Sequence, residues 1–262
     1  MNLPNKGYDK NLTYFEHNLD YSDIPNIFIH GVGLNHNMWY PQKKFFRKNQ
    51  IVFYDLLNHG KSKKNHKELT FKDFVLQIEL LLKYLKIDKC NLIGFSIGAL
   101  IAQHFAVTNK KKLNKLILIG SVFQRNKDQI ALVKNRFEQT KKGDNIVNSA
   151  IRRWFNSDYI KKNPDIINLF NDMLKRNKKK DFLPAYKVFV HADDHLLNFN
   201  NFDTKTLVMT GEKEEGSTPE MSKKLHKKLN NSELFIIPKA KHMASYEESE
   251  VVNIRISEFI NK

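Results

Sequence analysis

Cysteine is nearly absent from this chain. Cys90, alone among 262 residues, excludes an internal disulfide and leaves no thiolate cluster for a structural zinc. It falls in an apolar run and reads as inert core. Long apolar stretches are missing too, since none reaches the roughly 18 residues of a bilayer-spanning helix. Met1-Asn2-Leu3-Pro4-Asn5-Lys6-Gly7 lacks the apolar h-region of a secretory leader, so a cytoplasmic location without a membrane partner is expected. Arginine is scarce against lysine. The formal charge of +16 is therefore mostly lysine, dispersed among Asn, Ile and Phe, and short of the arginine forks that phosphate and base recognition favours. The densest basic run, Lys175-Arg176-Asn177-Lys178-Lys179-Lys180, has no interleaved aromatics and reads as the solvated end of a helix. A nucleic-acid partner is not expected, whereas attraction of anionic small molecules is. Internal repeats and low-complexity linkers are absent.

What remains is an ordinary globular composition, 41% hydrophobic and 27% charged, at a length suited to one α/β domain with room for an inserted lobe. Short apolar runs at 26–29, 50–54, 89–93, 115–119, 205–209 and 233–237 read as buried strands, and 11–16 as an opening strand. Phe71, Phe74, Val75, Ile78, Leu81, Leu82 and Leu85 recur at helical spacing behind a Thr70/Asp73 capping box. Helices are also expected at 99–106, 218–229 and 244–261. From about 122 to 200 the strand–helix alternation stops, and helices are predicted at 127–141, 145–156, 164–177 and 182–197.

The chain turns on Gly94-Phe95-Ser96-Ile97-Gly98, which links the strand at 89–93 to the helix at 99–106. A strand feeding a helix through so tight a turn leaves no room for a Cβ two residues before or after the serine. The turn lifts the Ser96 hydroxyl clear of the sheet, and the following helix brings its N-terminal N–H groups to the same place. This arrangement resembles the nucleophile elbow of α/β-hydrolases. Further motifs follow in that family's order: His30-Gly31-Val32-Gly33 after a strand, Asp55 with His59-Gly60 and Ser62, Gly211 through Glu214 to Thr218-Pro219, and the loop holding His242. Together they resemble the α/β-hydrolase superfamily across almost the whole chain. The fold so implied is a doubly wound, mostly parallel sheet built from 1–121 and 201–262, with 122–200 inserted as a helical cap.

The resemblance implies a division of labour. A serine hydroxyl needs a base, itself oriented by an acid, and in this family they follow the serine in the order acid, then histidine. His242 stands after the last predicted strand, where the base belongs. Of the glutamates after the preceding strand, Glu214 is the expected acid because it stands three residues past Gly211, where the loop turns back; Glu215 is the alternative, and Glu212 reads as a surface charge. Glutamate departs from the family's usual aspartate. The N–H groups of Val32 and Ile97 would form the oxyanion hole. Asp55 and His59 read as loop-fixing hydrogen bonders. His191-Ala192-Asp193-Asp194-His195 has helical metal-ligand spacing but no evident third ligand, so no metal is assigned and no cofactor is required.

Within the superfamily, Arg153-Trp154-Phe155 and Thr218-Pro219 resemble 3-oxoadipate enol-lactonases and related carboxylesterases. That likeness implies that Arg153 and Trp154 contact an anionic substrate, Arg153 through a carboxylate fork. The expected activity is hydrolysis of a small-molecule ester or lactone. Two alternatives share these residues: hydrolysis of a C–C bond by the same triad, and a non-catalytic member of the fold that binds a small ligand.

Overall fold

The computed structural model describes residues 4–65, 67–143 and 147–262. Its frame is an eight-stranded sheet in the order β1-β2-β4-β3-β5-β6-β7-β8. These are β1 (Lys6–Tyr8), β2 (Tyr14–His17), β3 (Asn26–Ile29), β4 (Ile51–Tyr54), β5 (Cys90–Phe95), β6 (Leu113–Ile119), β7 (Thr206–Gly211) and β8 (Ser232–Ile237). The first two strands pair antiparallel at one edge, and every pairing from β4 across to β8 is parallel. Parallel strands must be covered on both faces, which is why every residue of β3, β4 and β5 is buried and their sequences are mostly apolar rather than alternating.

Two cores result. Ile27, Ile29, Leu92, Leu116 and Leu118 face one side, where helices α2 (Phe71–Tyr84), α3 (Ile97–Thr108) and α9 (Pro219–Lys228) cover them. Phe28, Ile93, Ile117 and Ile119 face the other, against Trp39 and helix α11 (Ser249–Asn261). The alternation Leu116, Ile117, Leu118, Ile119 thus splits one strand between two cores, as the period of two requires. Thr70 starts α2 as expected: its N–H and hydroxyl both donate to Asp73 Oδ2, at 2.7 and 2.6 Å.

Between β6 and β7 the described residues leave the sheet for five helices: α4 (Lys127–Lys142), α5 (Val147–Trp154), α6 (Ser157–Lys162), α7 (Pro164–Lys175) and α8 (Lys179–Val190). Helix α4 packs on α8 and α5 on α7. α5 and α7 also extend the Trp39 side of the core through Ile151, Trp154, Ile167 and Phe170.

The differences from the sequence reading are local. Strand β1, helix α1 (Tyr40–Phe45) and helix α6 were not anticipated; each is six residues or shorter, too brief for a periodic signal. The helix expected at 145–156 is α5, and positions 145 and 146 lie outside the described residues. The helix expected at 182–197 starts earlier and stops at Val190, giving way to a 3₁₀ turn at Ala192–His195. The helix expected at 244–261 is broken at Glu248 (φ −124°, ψ 46°) into α10 (Ala244–Glu247) and α11. Glu247 explains the break: its carboxylate accepts the N–H groups of Asn156 and Lys241, at 2.5 and 2.7 Å, which ties that turn to neighbouring loops. No helix among the described residues is long and apolar enough to cross a membrane.

Candidate active site

Ser96 stands between the last residue of β5 and the first of α3, at φ 56° and ψ −119°. Few non-glycine residues adopt such a backbone. Its N–H donates to Ile119 O at 2.9 Å, which pins the turn to the end of the neighbouring strand. The flanking glycines are sterically required. A Cβ on Gly94 would sit 2.4 Å from Gly98 O, and one on Gly98 would sit 2.3 Å from Ile29 O. Ile97 contributes the first N–H of α3, one of the four that an α-helix leaves without an internal partner.

Strand β7 ends at Gly211 and β8 at Ile237, and the loops that follow them bring Glu214 and His242 together. Glu214 Oε2 lies 2.5 Å from His242 Nδ1, and Oε1 accepts the N–H groups of Gly216 and Ser217 at 2.5 and 3.1 Å. The Glu214 side chain is 2% exposed. Burial pushes its carboxyl upward, but His242 and the two N–H donors outweigh it and hold the group below the usual glutamate range. Glu215 turns outward, 65% exposed, and faces Lys241 Nζ at 3.7 Å. Glu212 accepts the N–H of Lys239 on the surface. The His242 ring lies 4.6 Å from Phe95 and 6.0 Å from Trp154 between centroids. Its loop is tied to α5 by the hydrogen bond from Met243 N–H to Trp154 O, 2.9 Å.

Across the cavity, Gly31–Leu34 forms a β-turn closed by Leu34 N–H to Gly31 O at 3.2 Å, with Gly33 at φ +78°. The N–H of Gly33 donates to His59 Nε2 at 2.9 Å, and His59 Nδ1 donates to Leu57 O at 2.9 Å. His30 is used the same way, accepting from Leu56 N–H through Nε2 and donating to Gly31 O through Nδ1. Burial pushes both imidazoles down, His30 to about 4 and His59 to about 3, so both are neutral. Asp55 is fully buried and accepts from the His36 N–H, the His36 ring and the Lys61 N–H. Asp55 and His59 are therefore scaffolding for this turn. The N–H groups of Val32 and Ile97 have no hydrogen-bond partner among the described residues.

These groups share a cavity of about 110 Å³ lined by Val32, Ser96, Arg153, Trp154, Glu214 and His242, among others. The lining also includes Arg125 and Arg136, which the sequence reading did not single out. Their rarity was the available signal, because a chain that otherwise uses lysine had arginine at these positions. Arg125 is held by Asp193 at 2.6 Å. That contact also accounts for part of the His191–His195 stretch: Asp193 serves Arg125, His191 pairs with Asp194 at 2.9 Å, and His195 meets Phe71 edge-on. Cys90 lies in the core, where burial pushes its thiol up to about 12.

A buried carboxylate on a histidine, a serine on a glycine-bracketed turn and two open N–H groups thus lie around one cavity. The sequence profile of the alpha/beta hydrolase fold matches residues 27–249, and the chain belongs to that family. It is 26% identical over 232 residues to the (E)-2-((N-methylformamido)methylene)succinate hydrolase of Acinetobacter baylyi, with 87% of each chain covered. Among solved structures it is similar to the enol-lactonase from Burkholderia xenovorans LB400, with a TM-score of 0.87, 17% identity and coverage of 98% and 100% of the two chains. It is also similar to a thermophilic esterase from Thermogutta terrifontis, with a TM-score of 0.83, 21% identity and coverage of 95% and 93%.

Proposed function

We propose that this protein is a serine hydrolase that cleaves a carboxylic ester or lactone of a small molecule. Ser96 Oγ attacks the carbonyl carbon while His242 takes its proton, and Glu214 holds the imidazole in the right tautomer and stabilises the imidazolium. The N–H groups of Val32 and Ile97 receive the oxyanion. Collapse of the tetrahedral intermediate breaks the C–O bond, and the imidazolium returns the proton to the leaving oxygen. Water, deprotonated by His242, then opens the acyl-enzyme and regenerates Ser96. Trp154 and Arg153 form part of the acyl pocket, and the helices of 122–200 act as a cap over it. The chemistry calls on no metal or organic cofactor.

The observation that carries this reading is the 2.5 Å contact between Glu214 and His242 in a cavity that Ser96 also lines. A buried carboxylate with two backbone donors and one histidine has no solvent to satisfy it, and His242 lines the same cavity as Ser96. The test is hydrolysis of p-nitrophenyl butyrate by the purified protein beside Ser96→Ala. Turnover confined to the wild type is expected. Equal rates in both proteins would overturn the serine mechanism.

A further inference from the structure

Gly33 follows Val32, the proposed oxyanion donor, and its φ of +78° is one that few residues but glycine adopt. Without a Cβ, such a residue is also the natural hinge of its turn. Here both of its peptide groups are tied. The N–H donates to His59 Nε2 at 2.9 Å. The carbonyl accepts from Asn177 Nδ2 at 2.7 Å, across 144 residues of chain. Asn177 lies in the short connection between α7 and α8. It interrupts the basic run of 175–180, and within that run it alone is not exposed.

The same Nδ2 donates to Met173 O and Leu174 O in the last turn of α7, at 3.0 and 3.3 Å. All three partners are carbonyls, so the amide has one orientation, with its NH2 group towards the turn. One side chain thus closes the end of a helix and holds the turn that carries Val32. Packing repeats the link. A Cβ on Gly33 would meet Phe182 of α8 at 3.1 Å and Leu174 of α7 at 3.2 Å. Phe182 also meets the His59 ring edge-on, 6.4 Å between centroids. Leu174 and Phe182 line the Ser96 cavity as well, so a group filling that cavity touches the two side chains that cover Gly33.

We propose that Asn177 is a positioning residue for the oxyanion hole. It sets the Gly33 peptide, and through it the aim of the Val32 N–H, only while the α7–α8 connection is seated on the turn. This rests on the serine-hydrolase reading for the role of Val32, but not for the clamp itself. An oxyanion donor is effective when its direction is fixed before the charge develops. Releasing the Gly33 carbonyl frees the peptide beside that donor, so the cost falls on the transition state rather than on substrate binding. A substrate that lets α7 and α8 close over it is turned over. One that holds them off is bound without full oxyanion stabilisation.

Asn177→Leu keeps the branched shape of the side chain and removes its donor. On p-nitrophenyl butyrate its kcat should fall at least about ten-fold while KM changes less than about two-fold. Asn177→Gln, which keeps the NH2 group, should recover part of the loss. Asn163→Ala removes an amide that makes the same kind of bond away from the turn, to Tyr159 O at 3.0 Å, and should leave kcat within about two-fold. Butaneboronic acid adds to a serine hydroxyl and places an oxygen where the oxyanion would lie. Its inhibition should weaken in Asn177→Leu by the factor lost from kcat, whereas inhibition by butyramide, a ground-state analogue, should not change. Hydrogen exchange of the peptide covering 28–35, read by mass spectrometry, reports the clamp without any reaction and should quicken at least about ten-fold in Asn177→Leu. Unchanged exchange, or equal weakening of the two inhibitors, would overturn the proposal and leave the hydrolase reading standing. Faster exchange in Asn177→Leu, with no Ser96-dependent turnover in the wild type, would establish the clamp and remove the hydrolase reading instead.

Discussion

Glu214 Oε2 and His242 Nδ1 lie 2.5 Å apart although 28 residues separate them in the chain. The loop after β7 and the loop after β8 meet because those strands are parallel neighbours in register, Gly211 opposite Ile237. Glu214→Gln keeps the shape of the side chain but removes its negative charge, and the tautomer of His242 is no longer dictated. Its kcat on p-nitrophenyl butyrate should drop by about a thousand-fold or more, with KM little changed. Glu215→Gln, altering an exposed surface pair, should change kcat by no more than about three-fold. Steady-state kinetics on both variants separates the two adjacent glutamates.

Gly98→Ala tests the steric basis of the elbow. The added methyl would meet Ile29 O at 2.3 Å, and neither the strand nor the helix can yield without disturbing the sheet. Loss of about 2–4 kcal/mol of stability is expected, together with loss of activity. Urea denaturation measures the first and ester hydrolysis the second. A stable, active Gly98→Ala protein would show that the turn is more forgiving than its contacts suggest.

His59 acts at one remove on the Gly31–Leu34 turn, which carries Val32, the proposed oxyanion donor. It accepts the N–H of Gly33 and so fixes the residue next to Val32. His59→Ala frees that N–H and should lower kcat by about ten-fold with a smaller effect on KM, because a misplaced oxyanion donor is felt mainly in the transition state. His59→Gln, whose side-chain carbonyl can accept in place of Nε2, should recover part of the loss. A uniform rise in KM without change in kcat would contradict this role.

Acid should weaken the fold in a defined window. His30 and His59 are held neutral, at about 4 and about 3, whereas an unfolded histidine titrates near 6.5. The unfolded chain therefore binds more protons below that value. Their contribution is fully present above about pH 6.5 and is lost as the pH falls towards 4, with a slope approaching about 2–3 kcal/mol per pH unit. The depressed carboxyl of Glu214 acts lower, since its contribution begins to fade only below the ordinary glutamate value of 4.5. Unfolding free energies from urea titrations at pH 7.5, 6 and 5 check the sign, and a flat profile would contradict it.

Most of the sheet was legible in the sequence because β3, β5 and β6 each hold a short apolar run, Ile27–Ile29, Leu92–Ile93 and Leu116–Ile119, close to a glycine turn, a signal contained within a few residues. Ser96 was legible for the same reason, as was the position of His242 at the end of a strand. Choosing between Glu214 and Glu215 was a matter of loop geometry. The N–H groups of Gly216 and Ser217 turn the first inward, while Lys241 draws the second outward. Strand β1 leaves no mark in the sequence because three residues at a sheet edge need no apolar pattern. The engagement of Arg125 by Asp193 spans 68 residues and crosses from the end of β6 to the turn after α8. No local periodicity encodes such a contact.

The five helices between β6 and β7 leave and re-enter the sheet at adjacent strands, where Ile119 pairs with Met209 and Gly120 N–H donates to Met209 O. A detour whose two ends are already stapled side by side imposes no tension on the ladder it interrupts, and each doubling of its length costs only about 0.6 kcal/mol of closure entropy. Helices in this detour can be lengthened, shortened or exchanged while the strands keep their register. Ser96 and Glu214, on turns outside it, would hold their places through such changes, whereas Arg136, Arg153 and Trp154 would not, and the His242 loop would lose the Met243 N–H to Trp154 O bond that ties it to α5.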